Sequence, residues 1–137
     1  MLDVPVMGVN APKEHQRVIA IITSELYWLY KNGLIGYEPL PEVMVDESQT
    51  SPTPDIVLFD NDTYLNQVII EVTIPPSFKS DCEKVEALLE KYDITEGFVY
   101  DYKRHVWKKY KYGIGEITEN PSFCDSIGYD LNSFLSK

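Results

Sequence analysis

The sequence predicts one α/β (or α+β) domain over residues 1–137, built on a single central mixed β-sheet flanked by helices. Three observations carry that expectation. Segments with apolar residues at helical spacing alternate with short β-branched runs. The most strand-like run, Gln67–Ile74 (QVIIEVTI), is dense in Val, Ile and Thr. No repeat, composition break or linker divides the 137 residues, a length that buries a core without metal or disulfide staples.

Taken in order, residues 1–11 carry Pro5, Gly8 and Asn10 and read as a loop or short leading strand. Pro12–Asn32 reads as a helix. Pro12 suits a first turn, Gly33 a stop, and Val18, Ile22, Leu26 and Leu29 form a stripe widened by Ile19 and Ile21. Gly36–Val45 looks extended, and Pro39 and Pro41 confine it to an edge. Asp46–Thr53 is loop-like, Asp55–Asp60 a short strand, Asn61–Asn66 a turn, and Gln67–Ile74 the main strand. Pro75-Pro76-Ser77 ends that strand, and a second helix is expected over Ser80–Tyr92, capped by Ser80 or Asp81 and buried through Val85, Leu88 and Leu89. Glu96–Tyr102 and His105–Tyr112 form a hairpin across Lys103-Arg104. One more strand is expected in Gly113–Glu119, a loop over Pro121–Gly128 and a short closing helix or turn over Tyr129–Leu135.

Composition narrows the function classes. Hydrophobic residues at 44% and aromatics at 12%, ten of them Tyr, exclude a disordered chain. No apolar run reaches the length of a membrane span, and the opening lacks a basic segment followed by an apolar one, so a cytoplasmic protein is expected. Twelve Lys+Arg against 22 Asp+Glu leave a net charge of −10, so the overall field disfavours duplex nucleic acid. The acidic surplus serves solubility or gathers carboxylates around a divalent cation. Cys82 and Cys124 lie far apart without a nearby ligand set and read as free thiols.

The chemistry concentrates at Pro54-Asp55 and Glu71. Asp55 opens one strand, and Glu71 sits among Val68, Ile69, Ile70 and Val72 in the next. A carboxylate in such a run is costly unless it is paired, solvated or metal-bound. If the two strands are antiparallel neighbours, both carboxylates reach one end of the sheet, where Mg²⁺ or Mn²⁺ would remove their repulsion. The alternative is plain: Asp after Pro starts strands, and a strand Glu can point to water.

Pro54-Asp55, Glu71-Val72-Thr73, and Asp81 with Lys84 together resemble the PD-(D/E)XK nuclease superfamily, and within it the Uma-type restriction endonuclease family. Glu14-His15-Gln16 is similar to that family's Glu/His-bearing helix start, Glu96–Asp101 (EGFVYD) to its late strand, and Ile127–Leu131 (IGYDL) to its C-terminal ending. Thr73 stands where the superfamily carries lysine, and Lys84 on the following helix fits the place Uma-type sequences use.

The resemblance implies a restriction-endonuclease-like fold and hydrolysis of nucleic-acid phosphodiesters. Asp55, Glu71 and the Val72 carbonyl would hold Mg²⁺ or Mn²⁺. Lys84 would neutralise phosphate charge or orient water, and Glu14 would complete the acidic cluster or hold a second ion through water.

Each residue also has a plainer role. Lys84 is a solvated helix lysine, Glu14 a first-turn acid favoured by the helix dipole, and His15 a half-buried packing group. Lys103–Lys111 (KRHVWKKYK) is the basic patch, whose Lys103, Arg104, Lys108 and Lys109 could meet phosphates while Trp107 and Tyr110 stack a base. It also reads as a hairpin with one polar and one packed face. Two competing functions remain open: a catalytically inactive nuclease fold acting as a protein-interaction or homodimerisation module, suggested by the Tyr content, and a small-ligand binder. The latter has no Gly-rich phosphate loop in its favour.

Overall fold

The computed structural model describes residues 12–42, 45 and 53–136. The expectations for residues 1–11 and for most of Asp46–Thr53 lie outside the described residues. Helix α1 spans Lys13–Lys31, with Pro12 at its N-cap and Asn32 at its C-cap. Strand β1 (Glu38–Pro41) follows, then β2 (Ile56–Asp60) and β3 (Leu65–Thr73). Helix α2 (Pro75–Tyr92) leads to β4 (Glu96–Asp101), β5 (Val106–Lys111) and β6 (Gly115–Ile117). A two-stranded ribbon, β7 (Phe123–Cys124) with β8 (Tyr129–Asp130), and a 3-10 helix at Leu131–Phe134 close the chain.

The six-stranded sheet runs in the order β1-β2-β3-β4-β5-β6. Its one parallel pair is β3–β4, and α2 makes the crossover that a parallel connection requires. The other neighbours are antiparallel, so the sheet is mixed as expected. The two Pro residues of β1 are tolerated because β1 lies at the sheet's edge.

Alternation along β3 builds two cores. Val68, Ile70 and Val72 pack with Ile56 and Phe98 under the α1 stripe Ile19, Ile22, Leu26 and Leu29. Ile69 packs on the other face with Val57, Val99 and the α2 residues Val85, Leu88 and Leu89. Gly97 lets α2 lie close: a Cβ there would come within 2.5 Å of Val85 Cγ1 and 2.7 Å of Leu89 Cδ1.

Two local expectations are corrected. Helix α2 starts at Pro75 rather than near Ser80, with extended Ile74 before it. The first-turn N–H groups have no intrahelical acceptor, so two prolines lacking that hydrogen cost nothing there. The expected loop over Pro121–Gly128 contains β7, whose pairing with β8 is too short to leave a periodic signal. Among the described residues, no helix is long and apolar enough to cross a membrane.

Candidate active site

The site forms where both helical layers meet one rim of the sheet. The antiparallel register opposes Ile56 to Ile70, which sets Asp55, just before β2, beside Glu71 and Val72. Two hydrogen bonds clasp them reciprocally. The Asp55 N–H donates to Glu71 Oε1 at 3.0 Å, and the Val72 N–H donates to Asp55 Oδ2 at 2.7 Å.

Glu71 falls on the face covered by α2. From that helix Lys84 donates to Glu71 Oε2 at 2.5 Å and reaches the Thr53 carbonyl at 3.5 Å. From the opposite layer, the first turn of α1 brings His15 Nε2 to 2.9 Å from the Val72 carbonyl and 3.5 Å from Asp55 Oδ2. A cavity of about 200 Å³ opens here, lined by His15, Asp55, Glu71, Ser77, Asp81 and Tyr102 among others. A larger hollow of about 550 Å³ lies by Trp28 and Phe134, away from the carboxylate pair.

The electrostatics follow from this crowding. Glu71 is only 6% exposed. Burial, and then the charge of Asp55, push its carboxyl up to about 7 against the opposing pull of Lys84. The hydrogen bond to Asp55 holds the His15 imidazole above its usual value despite partial burial, and the Val72 carbonyl adds to it.

Asp55, Glu71, Lys84 and the Val72 carbonyl are therefore brought together. Glu14 is not: its carboxylate pairs with Arg17 on the exposed side of α1, because adjacent helical residues point about 100° apart. The basic patch is corrected in part. Lys109 is 2% exposed and donates to the Phe123 carbonyl at 2.7 Å and Asp125 at 3.0 Å, so no phosphate reaches it. Lys108 pairs with Glu116 at 2.8 Å, and Arg104 with Asp101 at 2.6 Å. Lys103 and Arg104 follow Asp101, which lies opposite Thr73, so they share the site's rim.

His15 is the residue that the sequence reading undervalued. The signal was there: it lies four positions before Ile19, on the stripe facing the sheet, where the helix begins and the sheet ends. Asp81, named in the sequence with Lys84, joins the lining, and Tyr102 does so without a sequence signal of its own.

Among the described residues, no three His, Cys, Asp or Glu side chains form a metal-holding group. The donors present are two carboxylates and a main-chain carbonyl, hard oxygen groups that suit a divalent cation retaining several waters.

No protein-family model and no curated protein matches the sequence. Solved structures match its fold. The chain is similar to the crystal structure of a proposed nuclease belonging to DUF820 from Anabaena variabilis, with a TM-score of 0.68 and 14% identity over 92% of this chain and 82% of that one. It is also similar to the type IIG restriction endonuclease BpuSI, with a TM-score of 0.58 and 13% identity over 90% of this chain but 15% of that one. At such identities the likeness is one of fold, and the mixed six-stranded sheet with its flanking helices has a restriction-endonuclease-like architecture.

Proposed function

We propose that this protein is a metal-dependent nuclease of the Uma type, hydrolysing nucleic-acid phosphodiesters. The observation that carries the reading is the meeting of Asp55 and Glu71 at one cavity of the sheet rim, with Lys84 bonded to Glu71. Asp55, Glu71 and the Val72 carbonyl would hold Mg²⁺ or Mn²⁺. When bound, the ion supplies Lewis-acid charge at the scissile phosphate and makes water a better nucleophile. The main-chain clasp between Asp55 and Val72 fixes the carboxylates before substrate arrives, so their orientation needs no reorganisation during reaction. Lys84 moves from Glu71 toward the phosphate as negative charge develops there. Lys103 and Arg104 guide the nucleic-acid backbone along the rim, a local attraction within an acidic chain.

A second reading is an inactive nuclease fold used for protein association. It is favoured by the closure of Lys84 on Glu71 and by the burial of Lys109. Plasmid nicking and cleavage of single-stranded DNA and RNA oligonucleotides in Mn²⁺ separate the two. Cleavage that falls at least 10²-fold in Asp55→Asn and in Lys84→Ala supports the nuclease. Wild-type protein that binds Mn²⁺ without cutting any of these substrates supports the inactive fold.

A further inference from the structure

We propose that this protein pairs with a second copy of itself through the outer face of α1, the two helices running antiparallel about a two-fold axis near Ile22 and Thr23. The inference is independent of the metal-centre reading. It stands whether or not the cavity holds an ion, and its test reads neither binding nor cleavage there.

The surface is marked by what is exposed on it. Ile19, Ile22, Leu26 and Leu29 turn one side of α1 to the sheet. The opposite side carries a second stripe, Glu14, Arg17, Ile21, Ser24, Trp28 and Lys31, spaced three and four residues apart. On it Trp28 is 60% exposed and Ile21 36%, with Tyr27 beside them at 43%. A helix lying on a sheet needs apolar residues only on its inner side. Trp28 stands between two open hollows. One of about 550 Å³ opens toward Ser133 and Phe134, the other of about 490 Å³ toward Tyr27 and Lys31.

A two-fold interface needs a knob and a hole on the same patch. This face of α1 carries both. The antiparallel register that sets Glu14 opposite Lys31 also sets Trp28 opposite Arg17 and Ile21 opposite Ser24. The indole then enters the hole between Arg17, Ala20, Ile21 and Ser24 of the facing copy. Ala20 and Ser24 are small and leave room for it, and the Arg17 guanidinium covers its π face.

Charge favours the same occupant. Glu14 pairs with Arg17 at one end of the stripe, and both remain more than half exposed. Lys31 stands at the other end, so antiparallel pairing brings each Glu14 to a lysine twice over. The chain has a net charge of −10, yet α1 carries Lys13, Arg17 and Lys31 against Glu14 and Glu25. Two copies meet here without the repulsion that the acidic surface imposes elsewhere. The two glutamates also make a nucleic-acid strand a poorer occupant than a second α1.

Size sets the strength. Trp28, Tyr27 and Ile21 together offer roughly 300 Å² of apolar surface per copy. A stable complex buries about 800 Å² per partner. The dimer is therefore a dynamic one, with a dissociation constant of about 10–100 µM. His15 faces the sheet rather than this stripe, so pairing leaves the cavity open.

Sedimentation velocity from about 1 µM to about 300 µM tests this, with circular dichroism confirming that each variant folds. Wild type should shift from monomer to dimer across that range. Trp28→Ala and Ser24→Arg should each weaken association at least tenfold. Glu14→Lys and Lys31→Glu should each weaken it about threefold, and the double variant should return to within about twofold of wild type. Wild type that stays monomeric at the highest concentration overturns the proposal. So does a dimer that Trp28→Ala and Ser24→Arg leave intact, and a double variant without recovery overturns the antiparallel register. A monomer whose tryptophan emission is quenched by an oligonucleotide, with the effect lost in Trp28→Ala, overturns it in favour of a nucleic-acid surface.

Discussion

Two buried carboxylates lie at opposite ends of the same parallel strand pair, and they do opposite work. Glu71 stands near the end of β3, and Glu96 opens β4. Each is nearly inaccessible and each has a lysine beside it. Glu96 is saturated: it accepts from the Asp125 N–H at 3.0 Å, the Ser126 N–H at 2.8 Å and the Ser126 hydroxyl at 2.5 Å. Cys124 Sγ at 3.5 Å and Lys109 Nζ at 3.4 Å complete its surroundings. That network ties the β7–β8 ribbon to the sheet. Glu71 has one main-chain donor and Lys84, faces Asp55 at close range and borders a cavity. Burial of a charge does not by itself mark a functional group. An incompletely compensated charge facing open space does.

That contrast can be tested by breaking each end in turn. Glu96→Ala should cost the most stability, about 3–5 kcal/mol, because it leaves the Asp125 and Ser126 N–H groups without their acceptor and removes the carboxylate 3.4 Å from the buried Lys109 ammonium. Urea unfolding measures it, and a loss below about 1 kcal/mol would show that the ribbon is held by other contacts.

Glu71 should behave in the reverse sense. Its folded value near 7 lies above the ordinary 4.5, so its stabilising contribution is complete below 4.5 and is lost as pH rises through about 7. In EDTA the metal-free protein should lose on the order of 3 kcal/mol across that window from this group. Glu71→Gln should flatten the profile. His15, also raised, contributes the same sign, so a smaller slope remains in the variant. Unchanged slopes in urea titrations at pH 5 and pH 8 would refute the account.

Gly97→Ala sharpens the comparison through packing. The new methyl would press on Val85 and Leu89, lift α2 and carry Lys84 away from Glu71, at about 1–3 kcal/mol. Mn²⁺ affinity and cleavage should fall further than the loss of stability explains, since the Glu96 network does not touch α2. The smallest effect is expected at the rim: Lys103→Ala should reduce the salt dependence of oligonucleotide binding by about one phosphate contact, with no change in melting temperature.

Much of this molecule was legible in its chain. The β-branched run at Gln67–Ile74, the α1 stripe and the hairpin around Lys103-Arg104 are local patterns, and each formed as its period predicts. The meeting of Asp55 with Glu71 was also legible, because a short turn forces antiparallel neighbours and so places the two at one end. The start of α2 at Pro75 was readable from helix-capping chemistry but was set too late. Glu14 and His15 were not separable by sequence position, since one helical step decides which faces the sheet and which faces water.

The amino-acid order by itself determined the elements, the mixed sheet and the pairing of two acids at its rim, because periodicity and short connections act between near neighbours. Only the tertiary structure decided which lysine is buried and which is free, which carboxylate is satisfied, and that an imidazole from one layer and an ammonium from the other converge on the same rim. Those outcomes depend on how two helices seat on opposite faces of a sheet, a long-range packing result that no local pattern encodes.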